Sequence, residues 1–313
     1  MRAVLIGLAL AGAALASSAN AQAIDDPEAN VVEALVVSAK LPGPAWWRVS
    51  DADTTIYVLG TPTALPKGMA WDRSVLDRRL DGAFALLTPP EWRAGLTDIP
   101  AMLKLARSLR GDGAWAAREP ALAARTGRAW AAVEPKKPEG WKTWKPLFVG
   151  LKLAGASTKK ARMDTAEPDK AIERAARGRG VKVRSAGTHK AMPMIKGLVR
   201  GHNEDAGLTC LSEILDLTEV GPASARAAAD AWAQGRVKDA LAGPRGAERC
   251  ELALPGVSDA KRQSVDDEVE ALANLLKTPG HAVAYYQMRG LVAENGVLDK
   301  LRARGITVRT PGD

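Results

Sequence analysis

Two stretches of the chain spell the same unit, a helix closed by glycine and followed at once by a strand, and nothing else in the sequence narrows the fold as much. In the first, Pro168 stands at the start of a helix with Ala171, Ile172 and Ala175 on its apolar face. Arg179-Gly180-Val181-Lys182-Val183-Arg184 then supplies the glycine stop and the strand. The second has Val297, Leu298 and Leu301 on a helix followed by Arg304-Gly305-Ile306-Thr307-Val308-Arg309. A strand over 282–287 precedes that helix and completes a β-α-β unit. Helices that return the chain to a sheet in this way define the α/β class, although the unit is generic and does not by itself make the two stretches related halves.

The remaining segments fit around such a sheet. Residues 46–50 and 55–59 are short β-rich runs separated by Asp51-Ala52-Asp53, which predicts a hairpin whose second strand ends at Gly60. Asp72 caps a helix running to Leu80, Gly82 stops it, and 84–87 reads as a buried strand, so the order is β-β-α-β. From Glu91 to Gly155 the pattern is mainly helical, broken at Gly111 to Gly113, at Pro120 and at Pro135-Lys136-Lys137-Pro138-Glu139-Gly140. Further helices are predicted over 204–219, 223–241 and 265–276. With nine Trp against three Tyr and two Phe, the interior must be filled mostly by Ala, Leu and Val. Trp115, Trp130, Trp141 and Trp144 are expected as packing anchors, the alternative being a carbohydrate- or lipid-facing platform beside Lys136, Lys137, Lys142 and Lys145.

The N-terminus reads as a secretory signal over residues 1–21. Arg2 gives the positive start, Ala3 to Ala16 is apolar, and Ala19-Asn20-Ala21 supplies the small-x-small cleavage site, so the mature chain is expected to begin at Gln22. A membrane anchor fits less well, because the apolar run is shorter than the roughly 20 residues a span needs and breaks into Ser17 and Ser18. Residues 22–44 form an extended, peripheral lead, and 45–313 form the folded domain. The expected location is periplasmic or secreted, with no transmembrane segment after signal removal. On an exported protein a formal charge of +8 points to anionic envelope partners and not to nucleic acid. Cys210 and Cys250 are the only cysteines, and in an oxidising compartment a disulfide is the expected use of such a pair. A bond closing that loop would stabilise the fold by roughly 3 to 4 kcal/mol on the loop-entropy model.

Trp47-Arg48-Val49, followed by Ile56-Tyr57-Val58-Leu59-Gly60-Thr61-Pro62-Thr63-Ala64-Leu65-Pro66, resembles the opening of the TraB/GumN family, to which the Tiki proteins are related. The family pattern there is strand, Gly-Thr-x-His, then Leu-Pro. Lys145-Pro146, Met163-Asp164 before the Pro168 helix, and the ending from Gly296-Val297-Leu298 to Val308 extend the resemblance over roughly residues 46 to 309. It implies an α/β core of two pseudo-symmetric β-sheet halves packed with many helices, with a helical insertion in the middle. It also implies a site built from two Gly-x-x-His motifs and acidic residues at strand ends, which in the Tiki branch supports metal-dependent peptide hydrolysis. The chemical reason is that a divalent metal needs imidazole or carboxylate donors in an open first shell to polarise a carbonyl and activate water.

Carried onto this chain, those donors are missing. The first histidine position holds Thr63, the acid expected after the next strand falls at Thr88, and the carboxylate of the family's Leu-Glu-Thr falls at Gly187. The second Gly-x-x-His has become Gln287-Met288-Arg289-Gly290, where Arg289 would set a fixed positive charge. The three histidines, His189, His202 and His281, are expected as turn, cap or surface residues; His202 with Glu204 and Asp205 offers a weak alternative metal cluster. The expected protein therefore needs no cofactor and is catalytically inactive. It would bind an anionic or carbohydrate-like ligand in a degenerate cleft lined by Thr63, Thr88, Gly187, Tyr285, Tyr286, Gln287, Arg289 and Gly290. A hydrolase with unrecognised residues and a purely structural envelope component are the alternatives.

Overall fold

The computed structural model describes residues 30–312 except 202, 253 and 255. The signal reading over 1–21, the start of the lead and His202 lie outside the described residues. The chain opens with β1 (Trp46–Ser50), β2 (Thr54–Thr61), β3 (Leu65–Pro66), α1 (Ser74–Leu80), β4 (Leu86–Thr88) and β5 (Glu91–Arg93). A helical stretch follows: α2 (Ile99–Ser108), α3 (Trp115–Arg118), α4 (Pro120–Val133) and α5 (Pro146–Lys160). Next come β6 (Met163–Asp164), α6 (Glu167–Gly178), β7 (Val183–Ser185) and β8 (Thr188–Lys190). Helices α7 (Ala191–Gly201), α8 (Glu204–Val220), α9 (Ala223–Ala233), α10 (Val237–Leu241), α11 (Gly246–Leu252) and α12 (Val257–Leu275) lead to β9 (Gly280–Gln287). The chain closes with α13 (Met288–Val292), α14 (Val297–Ala303) and β10 (Thr307–Arg309).

One mixed sheet organises the α/β fold, with strand order β10-β1-β2-β9-β4-β7. Strands β2, β9, β4 and β7 run parallel, whereas β1 is antiparallel to both β2 and β10. The two helix-glycine-strand units thus deliver the two outermost strands, α6 leading to β7 and α14 to β10, so the two halves meet in a single sheet. The expected hairpin is β1–β2, and its turn is fixed by Asp51 Oδ1, which accepts the backbone N–H of Thr54 at 2.9 Å.

Strict alternation along the strands sorts side chains onto two faces. Trp47, Val49, Ile56, Val58, Leu87, Ala282, Ala284 and Tyr286 join a core completed by residues of α9, α12, α13 and α14. Trp46, Leu59, Leu86, Val283 and Tyr285 point the other way and pack with Val75, Leu76 and Leu80 of α1 and Ile172 and Ala176 of α6. The sheet is therefore covered on both sides, which is what a largely parallel sheet requires.

The middle of the chain builds its own core around α4, α5 and α8. Trp115, Trp130 and Trp141 are buried there with Val149, Leu153 and Leu211, so these three are packing anchors and not a surface platform. Trp144 is half-buried and stacks on Phe148, ring centroids 4.4 Å apart, with the Arg110 guanidinium 3.7 Å above its ring. Beside this core, Cys210 of α8 and Cys250 of α11 are buried at disulfide distance, their Cα atoms 4.5 Å apart.

The lead differs from its expectation. Residues 33–35 form a short 3-10 turn in place of a strand, and Leu35 is wholly buried in the main core. Its carbonyl accepts the indole N–H of Trp47 at 3.2 Å, so the lead is fastened to the centre of β1. The physical reason is that Trp47 is fully buried and its indole donor needs a partner, which the sheet ladder cannot offer. Leu35→Ala is expected to cost about 2 to 5 kcal/mol in chemical denaturation, as a core truncation does. A loss below about 0.5 kcal/mol, typical of surface positions, would make the lead peripheral after all.

Candidate functional site

Open sheets of parallel strands present their loops, and usually their sites, at the C-terminal ends of the strands where successive connections leave toward opposite faces. That point lies here between β2 and β9. The chain leaves β2 toward α1 on one face and leaves β9 toward α13 and α14 on the other. The register sets Thr61 beside Gln287 and Thr88 beside Ser185, and Leu87 pairs with Ala284. Thr63, Thr88, Gly187, Gln287, Arg289 and Gly290 therefore all lie at or just beyond the C-terminal ends of these strands.

Their side chains are less available than the sequence implied. Thr63 and Gln287 are exposed, but Thr88 is buried and donates its hydroxyl to the Pro89 carbonyl at 3.3 Å. Tyr285 and Tyr286 are only 2% and 1% exposed, because consecutive strand residues enter opposite cores. The Arg289 guanidinium is turned away and held by the Glu248 carboxylate at 3.1 Å and the Leu241 carbonyl at 2.5 Å, so its charge is compensated. The crevice itself is closed by apolar packing. Trp232 donates its indole N–H to the Gly60 carbonyl at 2.6 Å, and Trp71 meets Trp232 edge-on at 5.2 Å. A Cβ on Gly60 would lie 2.7 Å from Trp47 and 3.0 Å from Met288, so only glycine fits beneath this plug.

At Gly187 the edge is closed by side chains from two other elements. A Cβ there would lie 3.2 Å from both Asp267 Oδ2 and His189 Nε2. Asp267 comes from α12 and pairs with His189 of β8 at 2.5 Å, while Gln263 approaches the other ring nitrogen at 3.5 Å and Trp92 of β5 stacks on the imidazole at 4.7 Å. Read from sequence alone, His189 is expected only as a surface or turn residue. Its partner lies 78 positions away, so only the β5–β8 pairing and the approach of α12 create the cluster.

A second group occupies the opposite face. Asp169 and Glu173, one turn apart on α6, approach Tyr285, whose hydroxyl donates to Glu173 Oε1 at 3.1 Å. Burial and then the Glu173 charge push the Asp169 carboxyl up to about 6. Burial first, and then the same two carboxylates, hold the Tyr285 phenol well above its ordinary range. The i, i+4 spacing of Asp169 and Glu173 was the one readable signal for this pair.

A model of the TraB/PrgY/gumN family matches residues 45–310. This chain belongs to that family. No curated protein and no solved structure matches it significantly. For a TraB/PrgY/gumN member, the donor set at the strand ends does not fit a metal. Thr63, Thr88, Gly187 and Gly290 bring no imidazole or carboxylate, and the His189–Asp267 pair supplies two donors already spent on each other. Among the described residues no group of three or more His, Cys, Asp or Glu is arranged to hold an ion.

Two outcomes follow from this geometry. Gly187→Glu is expected to lose about 1 to 3 kcal/mol of stability, because its side chain enters space held by Asp267 and His189; unchanged denaturation would mean that space is free. Asp169 has a raised folded pKa, so the wild type loses stability as pH climbs from about 4 to about 6 and stays lower above that range. Asp169→Asn should accordingly gain about 1 to 2 kcal/mol at pH 7, discounted for residual solvent contact, and the gain should vanish below pH 4. Thermal unfolding across that range measures it.

Proposed function

We propose that this chain is an exported TraB/PrgY/gumN member that binds instead of hydrolysing, taking an anionic or carbohydrate-like ligand or an envelope partner. The observation that carries the reading is the chemistry of the four strand-end positions, Thr63, Thr88, Gly187 and Gly290, which share one edge of the sheet and lack every donor a hydrolytic metal needs. The space at Gly187 is filled by a His–Asp pair, and the crevice between β2 and β9 is packed with Trp71, Trp232 and Met288. Both features support loss of turnover, since water activation needs an open coordination position. Export is supported by the buried cysteine pair at bonding distance, and among the described residues no helix is long and apolar enough to cross a membrane.

Elemental analysis and metal-dependent thermal shift on the purified protein should show well under one zinc, manganese or cobalt per chain, and peptide substrates should stay intact with or without added metal. One tightly held ion per chain, or metal-dependent peptide cleavage, would overturn the reading in favour of a hydrolase. Non-reducing mass spectrometry of exported material should find an N-terminus at Gln22 and no free thiol at Cys210 or Cys250. Two free thiols in correctly exported protein would remove the disulfide.

A further inference from the structure

Away from the strand ends, a cavity of about 340 Å³ opens on the α1-covered face of the sheet near its β10 edge. That volume is within the range of small-molecule sites. Its cause is visible in the strand pattern. On β1 the residues facing the main core are Trp47 and Val49, but the opposite face carries Trp46, Arg48 and Ser50. Direct pairing places Arg309 of β10 and Tyr57 of β2 on either side of Arg48, with all three side chains on that same face. Arg79 reaches in from α1, its guanidinium 4.5 Å from the Trp46 ring and 4.4 Å from the Tyr57 ring. Lys40 of the lead completes the rim.

Four cationic side chains thus line one cavity, and none of its lining residues is acidic. Two of the guanidinium nitrogens are buried and unused: Arg48 Nε and Arg79 Nη1 find no hydrogen-bond partner among the described residues. By contrast, Arg125, Arg179 and Arg249 each hold carboxylates. A buried donor left without an acceptor is costly, and guanidinium groups gathered at one cavity, one of them stacked on two aromatic rings, suit an acceptor that comes from outside the chain. Burial holds the Arg79 guanidinium down to about 10, which still leaves it charged at neutral pH.

We infer that this cavity is a binding site for a soluble phosphomonoester, the phosphoryl group accepting from Arg48, Arg79 and Arg309 and the organic body lying against the apolar part of the wall. A carboxylate brings a single charge to four cations, whereas a phosphomonoester brings close to two charges and three acceptor oxygens, which match several guanidinium forks together. The cavity also exceeds what a phosphate ion alone would fill, and Leu41, Pro44 and Pro311 supply an apolar wall beside the cationic end. The site stands on the cavity alone and holds whether or not hydrolysis has been lost. Metal content tests the latter and phosphate titration tests the former, so either can fail without the other.

Isothermal titration of the protein with inorganic phosphate and with a hexose phosphate, at constant ionic strength set by sodium chloride, is the test. One saturable site per chain is expected, at least tenfold weaker for acetate and tighter for the hexose phosphate than for phosphate. Arg48→Gln and Arg309→Gln should each weaken phosphate at least tenfold. Arg309 is exposed on an edge strand, so its variant keeps the fold even if changes at the stacked Arg79 do not. Absence of saturable phosphate binding, equal binding of acetate, unchanged affinity in both variants, or association only with anionic vesicles would each overturn the assignment.

Discussion

The parallel ladder between β2 and β9 runs through eight paired residues, from Thr54 with Gly280 to Thr61 with Gln287, and it joins segments from opposite ends of the chain. Everything of functional interest depends on that register. It sets the end of β2 beside the end of β9 and the start of α13, and it aims Tyr285 and Tyr286 into separate cores. A slip of one residue would send Ala282, Ala284 and Tyr286 to the wrong face, so the register is strongly specified by burial. Pairing across such a long loop is slow to form, and the local units that can form first are the β1–β2 hairpin and the helical core around Trp115, Trp130 and Trp141.

Indole donors fasten the parts that the ladder alone would leave loose. Trp47 ties the lead to β1 through the Leu35 carbonyl, Trp232 ties α9 to the end of β2 through the Gly60 carbonyl, and Trp130 ties α4 to the following loop through the Lys137 carbonyl at 2.9 Å. Each of these indoles buries a large apolar surface and donates to one backbone carbonyl of another segment. A chain with nine Trp and two Phe gains specificity this way, because a Phe at any of these places would fill space without fixing the neighbouring backbone.

Periodicity and glycine stops made much of this legible. The hairpin, both helix-glycine-strand units, the strand over 282–287 and the helix over 204–219 can be read from residues alone, since each is decided within about ten neighbouring positions. The motifs that the family resemblance singles out, at Gly60 and Gln287, each directly follow a β-rich run and so lie at strand ends. Three things were not readable. Leu35 in the core, Asp267 against His189, and Arg289 against Glu248 all depend on which elements meet across long stretches of chain. The short strands Glu91–Arg93 and Thr188–Lys190 are not readable either, because each is only three residues long and pairs only with the other. The arginine cavity escaped for a related reason: Arg48, Arg79 and Arg309 are unremarkable one at a time and become a group only when β1 lies between β2 and β10.

The changes at the strand ends also support one another. With glycine at 187, the imidazole of His189 and the carboxylate of Asp267 can close over the position, and their pairing lets two polar groups sit partly buried. A carboxylate at 187 would face the Asp267 carboxylate at short range, and removing Asp267 to relieve it would strip His189 of its partner. Arg289 behaves alike, because its place is fixed by Glu248, which is also bound by Arg245 at 2.8 Å. At Gly187 and Arg289 the neighbours thus depend on the residue present, and a carboxylate placed at 187 alone meets a built-in conflict. An edge organised this way is a packed, charge-compensated surface.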